Sequence, residues 1–233
     1  MANILLTGAS RGIGAATRTA LVAAGHNVIG QSTAGGAGLI AADFAHPHAA
    51  DLLWEQALAA AGGRIDVLVN NAGVFEDGDI EDAASFATAW SRSIAINLQS
   101  AADLCRHAVL HFRTIGGGRI VNVASRAGHR GDSPAHWHYA AAKGGMIAMT
   151  KSIARGYARE NILAFAVAPG FTMTGMAEEY LASRGGDQLL ADIPLGRVAG
   201  ADEVAEAIRW LASDAPPSLT GATLDINGAS YVR

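Results

Sequence analysis

The sequence predicts an α/β fold, in which short buried strands alternate with amphipathic helices. The first observation is an apolar run over residues 3–7 that leads directly into a glycine-rich turn and a helical pattern. The second is that apolar runs followed by helical patterns recur along the chain. The third is size: 233 residues with 50% hydrophobic content can bury a sizeable core. We therefore expect a single domain over residues 1–233.

Composition argues against nucleic-acid and membrane partners. The net charge is −4 and charged residues make up only 16% of the chain, so there is no basic excess for a phosphate backbone or an anionic lipid surface. No apolar stretch reaches about 18 residues without a charge, and we expect no transmembrane helix. The single cysteine, Cys105, fits a reducing compartment, and we expect a cytoplasmic protein.

The first strand ends in the segment T-G-A-S-R-G-I-G at residues 7–14, and a helix is predicted over residues 13–24. Glycines let the backbone turn tightly and approach a pyrophosphate, while a helix N-terminus offers free N–H groups and positive dipole charge. A strand, a glycine-rich turn and a helix in this order are the context of a dinucleotide site. We expect cofactor contacts from Gly8, Ser10, Arg11, Gly12, Ile13 and Gly14.

The second strand, predicted over residues 27–30, favours NADP over NAD as the cofactor. In NAD-binding units an acidic residue usually follows this strand and binds the ribose hydroxyls. No Asp or Glu occurs between Gly30 and Ala42, and the absence of a carboxylate tolerates a 2′-phosphate. We expect Ser32 and Thr33 to donate hydrogen bonds to that phosphate and Arg11 to supply positive charge.

The segment over residues 34–38 is too short and too rich in glycine for a full crossover helix. The third strand is predicted directly after it, over residues 39–41. The residues at the end of that strand, Asp43 and Phe44, are expected to lie beside an adenine ring.

A helix predicted over residues 51–61 leads into a fourth strand over residues 67–69, which ends in N-N-A-G. Small residues at a strand end allow a cofactor to approach the backbone closely, and asparagine side chains can tie adjacent loops together. We therefore expect cofactor contacts from Asn71, Ala72 and Gly73.

Residues 119–143 carry the candidate chemistry. An apolar run ends at Ser125, a polar loop follows, and a helical pattern begins near Pro134 and contains Tyr139 and Lys143. Residues four apart share one face of a helix. A lysine ammonium favours the phenolate and should lower the tyrosine pKa towards the range useful for proton transfer. Taken alone such a pair is more often structural, so its interpretation depends on the glycine motif.

Two further helices and one strand complete the pattern. A long helical stretch over residues 86–112 contains Asn97, which has low helix propensity and requires a hydrogen-bond partner. Residues 201–212 form an amphipathic helix, and residues 223–226 form the last strand.

Together these motifs resemble the classical short-chain dehydrogenase/reductase family over nearly the whole chain. The matching segments are T-G-A-S-R-G-I-G, N-N-A-G, Asn97, N-V-A-S ending in Ser125, Tyr139-A-A-A-Lys143, and P-G-F-T-M-T at residues 169–174. The resemblance implies a single Rossmann-like domain with a parallel sheet of about seven strands and helices on both faces. Within the family the chain looks most similar to 3-oxoacyl-[acyl-carrier-protein] reductases.

The resemblance also implies a catalytic set of Asn97, Ser125, Tyr139 and Lys143. In that family the tyrosine exchanges a proton with the substrate oxygen, which the serine orients. The lysine lowers the tyrosine pKa and binds the nicotinamide ribose, and the asparagine anchors a water that relays protons. The segment that closes over the nicotinamide contributes Pro169, Gly170, Phe171, Thr172 and Thr174. Residues 175–192 are expected to form a substrate lid.

The resemblance further implies a homodimer or homotetramer through the helices predicted over residues 86–112 and 138–159. The loop between Ser125 and Tyr139 is about one residue longer than expected and should bulge over the pocket. It contains His136 and His138, which we interpret as pocket-lining or helix-start residues. We expect no metal site, because neither this pair nor His107 and His111 comes with further ligands nearby.

The sequence therefore predicts an NADP-dependent oxidoreductase that interconverts a small-molecule ketone, such as a 3-oxoacyl compound, and a secondary alcohol. Two alternatives stay open at this stage. One is an NAD-dependent dehydrogenase of a sugar, polyol or cyclic alcohol. The other is a nucleotide-binding regulatory protein without turnover.

Overall fold

A computed structural model describes residues 1–36, 38–173 and 190–233. The elements in chain order are β1 Asn3–Leu6, α1 Gly12–Ala23, β2 Asn27–Ser32, β3 Leu39–Ala41, α2 Ala49–Ala60, β4 Val67–Asn70, α3 Ala83–Ile94, a π-helical turn Ala95–Gln99, α4 Ser100–Ile115, β5 Gly118–Val123, α5 Ala127–Arg130, a 3-10 turn Pro134–His136, α6 Trp137–Tyr157, a 3-10 turn Ala158–Glu160, β6 Ile162–Pro169, β7 Thr172–Met173, β8 Ala199–Gly200, α7 Ala201–Ser213, a 3-10 turn Pro217–Leu219 and β9 Thr223–Ile226.

Seven strands form one parallel sheet in the order β3-β2-β1-β4-β5-β6-β9, and β7 pairs with β8 separately. The strand order reverses between β1 and β4, which is the point at which open parallel sheets bind ligands. Because all seven strands are parallel, their carboxyl ends meet at one edge. The expected α/β fold, with a seven-stranded parallel sheet, is confirmed.

Helices cover both faces of this sheet because its strands are apolar on both sides. In β1 the side chain of Leu5 enters the core under α2, α4 and α6, while Ile4 and Leu6 enter the core under α1 and α7. Successive strand residues point to opposite faces, and strands buried on both faces are therefore almost continuously hydrophobic. The core is thus divided by the sheet into two layers.

Several predicted boundaries are confirmed. The third and last strands occupy residues 39–41 and 223–226 as expected, and the first strand, second strand and first helix differ from their predictions by at most two residues at either end. The described residues between β2 and β3 contain no helix, in agreement with the shortened crossover. These boundaries follow glycines and strand-end motifs, which have local causes.

The long helix predicted over residues 86–112 needs a correction. The helical run extends from Ala83 to Ile115 but is interrupted by the π-helical turn Ala95–Gln99. The Asp82 carboxylate accepts hydrogen bonds from the backbone N–H groups of Ala84 and Ser85, which fixes the earlier start. Short π segments occur often at functional sites, and this one contains Asn97.

The loop after Ser125, which was expected to bulge over the pocket, is partly helical. It contains α5 and the 3-10 turn before α6. A Cβ on Gly128 would come within 2.7 Å of the Lys143 carbonyl carbon, so α5 packs directly on α6. His107 and His111 on α4 pack against another helix, since both rings contact the ring of Trp54 on α2.

No helix in the described ranges is both long enough and apolar enough to cross a membrane. Most of the segment expected to be a substrate lid, residues 175–189, lies outside the described residues, and so does Thr174.

Candidate active site

The residues predicted to contact cofactor or substrate converge at the carboxyl edge of the sheet. The glycine loop follows β1, N-N-A-G follows β4, Ser125 follows β5, and Pro169 ends β6. These four strands are neighbours in the sheet, so consecutive loops lie side by side. The crevice is therefore built by chain topology from segments far apart in sequence.

The glycine loop forms a cradle that side chains would fill. Gly8 and Gly12 have φ angles of +65° and +53°, which L-residues rarely adopt. A Cβ on Gly14 would overlap the Gly8 carbonyl oxygen, so the first turn of α1 can pack against the loop only with glycine at this position. No side chain of the described residues caps α1, and its first N–H groups therefore remain available to an anion.

Asn71 and Thr7 fasten this cradle to the end of β4. The Asn71 amide donates to the carbonyl oxygens of Thr7 and Gly8, both at 3.0 Å. The Thr7 hydroxyl accepts from the backbone N–H groups of Asn71 at 2.9 Å and Ala72 at 3.0 Å. The expectation that asparagine ties the loops is confirmed, and Thr7 joins it as a residue that the sequence analysis did not assign.

Gln31 was also missed as a support of the glycine loop. Its buried amide accepts from the Gly8 N–H at 2.8 Å and donates to the Ala42 carbonyl at 2.6 Å. It therefore joins the glycine loop to the segment after β3. The signal in the sequence was a polar residue, Gln31, within an otherwise apolar strand. A buried amide needs hydrogen-bond partners, and a search for those partners would have pointed to the glycine loop.

The loop after β2 places candidate 2′-phosphate residues at the surface. The Ser32 hydroxyl accepts from the Gly35 N–H at 3.0 Å, so it is already engaged within its own loop, whereas Thr33 is exposed. Arg11 is exposed at the start of α1. Arg18, seven residues along the same helix, places a guanidinium nitrogen 3.7 Å from the position of a Cβ on Gly38. Arg18 thus brings a cation to this loop.

Asp43 and Phe44, just after β3, differ in their exposure to solvent. The Asp43 carboxylate accepts from the Ala45 N–H at 2.9 Å and is partly exposed. The Phe44 side chain is 7% exposed and belongs to the core under α2. The sequence predicted that Asp43 and Phe44 lie beside an adenine ring, and the phenyl ring of Phe44 itself is packed in the core, where its burial is favourable. A contact from Phe44 to the cofactor would come from its backbone.

Tyr139 and Lys143 face each other at the centre of the crevice. The Lys143 ammonium lies 5.7 Å from the centre of the Tyr139 ring and donates to the Val123 carbonyl at 2.8 Å. The side chain of Ser125 hydrogen-bonds the phenol and accepts from the Ala127 N–H at 3.1 Å. The structure therefore brings together the predicted tyrosine, lysine and serine.

The pKa values of this pair correct one expectation. Burial raises the pKa of Tyr139 to about 12, and the hydrogen bond from Ser125 offsets this only in part. Burial also lowers the pKa of Lys143 to about 8. Desolvation therefore dominates the pKa of Tyr139, and the charge of Asp132 raises it further. The hydrogen bond that the Lys143 ammonium donates goes to the Val123 carbonyl.

Asn97 is completely buried, and its side-chain amide is hydrogen-bonded through both its oxygen and its nitrogen. Its amide accepts from the Val74 N–H at 2.9 Å and donates to the Val74 carbonyl at 3.0 Å and the Ser93 hydroxyl at 2.9 Å. The predicted need for a partner is thus met by the segment after N-N-A-G. A Cβ on Gly73 would lie 2.8 Å from the Asn97 side-chain oxygen and 3.6 Å from the Lys143 ammonium, so glycine allows these groups to approach.

The segment after β6 closes the far side of the crevice. The Pro169 carbonyl accepts from the Arg126 N–H at 2.9 Å, and the Thr172 hydroxyl donates to the Gly170 carbonyl at 3.2 Å. The ring of Phe171 lies 5.4 Å from the Arg126 guanidinium. These residues are placed next to Ser125, as expected from the strand order.

An aromatic wall beside Tyr139 was not predicted. The Phe75 ring meets the Tyr139 ring edge-on at 4.9 Å and stacks on His136 at 3.7 Å. His136 is held by the Ser133 hydroxyl at 2.7 Å and by Asp77 at 3.0 Å. His136 is thus a helix-start residue that supports the pocket wall. His138, the second residue of α6, is buried beside Gly78.

The geometry fits a dinucleotide cofactor together with proton transfer. The glycine cradle and the uncapped α1 suit a pyrophosphate, and the glycine at position 73 leaves access to Lys143. The phenol, the serine hydroxyl and the ammonium form a group that can orient an oxygen and give it a proton. Such an arrangement matches hydride chemistry at a carbonyl, in which the nicotinamide of the cofactor carries the hydride.

Comparison with known proteins gives a consistent family assignment. A family model described as enoyl-(acyl carrier protein) reductase matches residues 8–229. The 3-oxoacyl-[acyl-carrier-protein] reductase FabG of Salmonella typhimurium is 36% identical over 241 residues, which covers 98% of this chain and 96% of the relative. The protein of the same name from Escherichia coli is 35% identical over 239 residues, again covering 98% and 96%. The acetoacetyl-CoA reductase of Acinetobacter is 34% identical over 250 residues, covering 98% and 97%.

Proposed function

Because the chain belongs to the short-chain dehydrogenase/reductase family and is an NAD(P)-dependent oxidoreductase, we propose that it reduces a ketone to a secondary alcohol with NADPH. A 3-oxoacyl compound is the favoured substrate, since the relatives are named as reductases of 3-oxoacyl and acetoacetyl thioesters. The observation that carries the proposal is the approach of the Lys143 ammonium to within 5.7 Å of the Tyr139 ring, beside Ser125.

Tyr139 is the proton donor. Its pKa of about 12 keeps the phenol protonated at neutral pH, which suits donation to the oxygen of a ketone as hydride arrives at the carbon. The Ser125 hydroxyl holds that oxygen in line with the phenol. Lys143 binds the ribose of the cofactor and restores the proton after each turnover, and Asn97 holds the segment around Gly73 in place for this step.

The cofactor is NADP(H), and it supplies the hydride. The residues that hold its pyrophosphate are the glycine loop and the first turn of α1. Arg11, Arg18 and Thr33 surround the position of the 2′-phosphate, and the segment between Gly30 and Ala42 contains no carboxylate that would repel it. Guanidinium groups suit this role because they bind phosphates with paired N–H groups.

The proposal is tested by measuring NADPH consumption by absorbance with a panel of ketones and 3-oxoacyl thioesters. We expect turnover with at least one 3-oxoacyl compound and slower turnover with unrelated ketones. Tight binding of NADPH without turnover of any member of the panel would contradict the proposal and favour a nucleotide-binding protein without catalysis.

Cofactor preference is tested separately by titrating the protein with NADPH and NADH and following protein fluorescence. We expect tighter binding of NADPH, because arginines near the β2–β3 loop can pair with its 2′-phosphate. NADH carries a neutral hydroxyl at this position and offers no such charge. Tighter binding of NADH would contradict this part of the proposal and favour an NAD-dependent dehydrogenase.

A further inference from the structure

Arg126 is a buried cation immediately after Ser125. Its side chain is only 10% exposed, and buried charges are normally paired and hydrogen-bonded because desolvation is costly. Among the described residues it pairs with the Asp192 carboxylate at the long distance of 3.5 Å, and the charge of Asp132 adds a weaker attraction. Its guanidinium also lies 5.4 Å from the centre of the Phe171 ring. The position therefore holds a desolvated positive charge that is weakly compensated.

A second arginine converges on the same carboxylate oxygen. The Arg130 guanidinium lies 3.1 Å from Asp192 Oδ2, the atom that Arg126 also contacts. Two guanidinium groups thus share one carboxylate, which is itself 53% exposed. Burial is the main cause that lowers the pKa of Arg126, and repulsion from Arg130 comes next, ahead of the attraction of Asp192. In the cluster formed by Arg126, Arg130 and Asp192, two guanidinium groups in direct contact therefore face one carboxylate, and Asp132 attracts Arg126 more weakly.

The cluster lies on the substrate side of the crevice. Arg126 follows β5 and Phe171 follows β6, whereas the glycine loop follows β1. Neighbouring strands are about 4.8 Å apart, and β4 separates β1 from β5, so the cluster is about 10 Å or more from the pyrophosphate cradle. A second anionic group bound there would belong to the molecule whose carbonyl oxygen Ser125 holds.

We propose that Arg126 and Arg130 form an anion-binding subsite that selects ketone substrates carrying a carboxylate or phosphate group, with Asp192 occupying this subsite when no substrate is bound. The inference rests on the proposed function and deepens it by naming the substrate class. Planar guanidinium groups suit both anions, because each offers parallel N–H donors to two oxygens. The anion is either the carboxylate of a free oxo acid or a phosphate of a thioester carrier.

The test compares matched substrates at saturating NADPH. Acetoacetate is paired with its neutral methyl ester, and acetoacetyl-CoA is paired with the neutral thioester of N-acetylcysteamine. The measured quantity is the ratio of kcat/KM for the anionic and neutral member of each pair. The first pair reports a carboxylate source and the second a phosphate source, and preference in either pair supports the subsite.

Variants separate a binding role from a structural role by the direction in which they change the kcat/KM ratio of anionic to neutral substrate. We expect Arg126→Gln and Arg130→Gln to lower the ratio about 10- to 100-fold, the range of one hydrogen bond to a charged group. We expect Asp192→Asn to raise the ratio, because the competing carboxylate is removed. A purely structural ion pair would make the three variants alike. Arg113→Gln is the control, since it breaks an exposed pair with Glu160 on another part of the surface and should leave the ratio unchanged.

A second measurement keeps the test independent of turnover. With NADPH present, we expect malonate to raise the thermal unfolding midpoint of the natural protein. The shift should be larger in Asp192→Asn and should be lost in Arg126→Gln and Arg130→Gln. Equal malonate shifts in all variants, or unchanged ratios, would overturn the subsite. Absence of turnover with a malonate shift that follows this order would instead reject the proposed function and retain the anion site.

Discussion

At the scale of single residues, the Tyr139 phenol carries a proton that burial holds in place. Its pKa of about 12 is the result of lost hydration, which the Ser125 hydrogen bond relieves only in part. The nearby Lys143 is subject to the same effect with the opposite sign, and its pKa falls to about 8. Both groups are thus pushed towards their neutral forms, which sets the pH behaviour of the crevice.

Tyr139→Phe tests the proton donor. Because only the hydroxyl is removed, we expect turnover to fall by about 10²- to 10⁴-fold, the usual contribution of general acid catalysis. NADPH affinity measured by fluorescence titration should stay close to that of the natural protein, since the ring and its contact with Phe75 remain. Near-normal turnover in this variant would reject the role given to the phenol.

Lys143→Met tests the cost of burying an ammonium. The pKa of Lys143 is about 8 in the folded protein and 10.5 in the unfolded chain. Between these pH values the unfolded chain binds more protons, so the free energy of unfolding rises with pH. The variant lacks this dependence. We expect its stability relative to the natural protein to fall by about 2 kcal/mol from about pH 7 to about pH 10, as measured by urea unfolding without cofactor. A constant difference across this range would show that Lys143 keeps its ordinary pKa.

At the scale of elements, the glycine loop and α1 act as one unit with the end of β4. Asn71, Thr7 and Gln31 satisfy backbone groups of the loop and hold it in a conformation that includes positive φ angles. The conformation of the cradle is therefore supported by hydrogen bonds within the protein. Preorganisation of this kind lowers the entropy lost on binding.

Gly14→Ala tests the cradle. The added methyl group would overlap the Gly8 carbonyl oxygen, so we expect a loss of about 1–3 kcal/mol of stability and at least tenfold weaker NADPH binding. Thermal unfolding and fluorescence titration measure the two effects.

Gly156→Ala is the matched control for this change. It lies in α6, no atom of the described residues comes within 4 Å of an added Cβ, and helical alanine is favoured by about 0.5–1 kcal/mol over glycine. We expect a small gain in stability and unchanged NADPH binding. Equal behaviour of the two variants would contradict the proposed close packing of the loop.

The elements also indicate how far the sequence could predict the site. The expectation that an asparagine of N-N-A-G ties adjacent loops together is confirmed for Asn71, because asparagine and glycine report local backbone needs. The aromatic wall of Phe75 and His136 was missed, since the two residues are 61 positions apart and meet only through packing. The π-helical turn at Asn97 was missed for a related reason: its cause is the hydrogen bonding of the buried amide to Val74.

At the scale of the whole molecule, exposed apolar side chains on the long helices agree with assembly. Trp90 on α3 and Leu110 on α4 are 38% and 47% exposed, on the helical run expected to form a subunit interface. Burial of such residues between subunits would be favourable. The chain is thus expected to form a dimer or tetramer.

Leu110→Glu tests this assembly. A carboxylate in an apolar interface is costly to desolvate, so we expect a smaller mass by light scattering after size-exclusion chromatography than for the natural protein. Val22→Glu is the control, because Val22 is 54% exposed on α1, away from the expected interface. A monomeric natural protein, or equal effects of both variants, would contradict the expected interface.

The sequence by itself determined the fold class and indicated the glycine cradle, because both depend on local apolar patterns and local backbone needs. The family resemblance predicted Asn97, Ser125, Tyr139 and Lys143 as the catalytic set. Only the tertiary structure decided the protonation behaviour of Tyr139 and Lys143, the core position of Phe44, and the convergence of Arg126 and Arg130 on Asp192. The physical reason is that desolvation and charge pairing depend on which distant segments surround a group, and no single stretch of sequence contains that information.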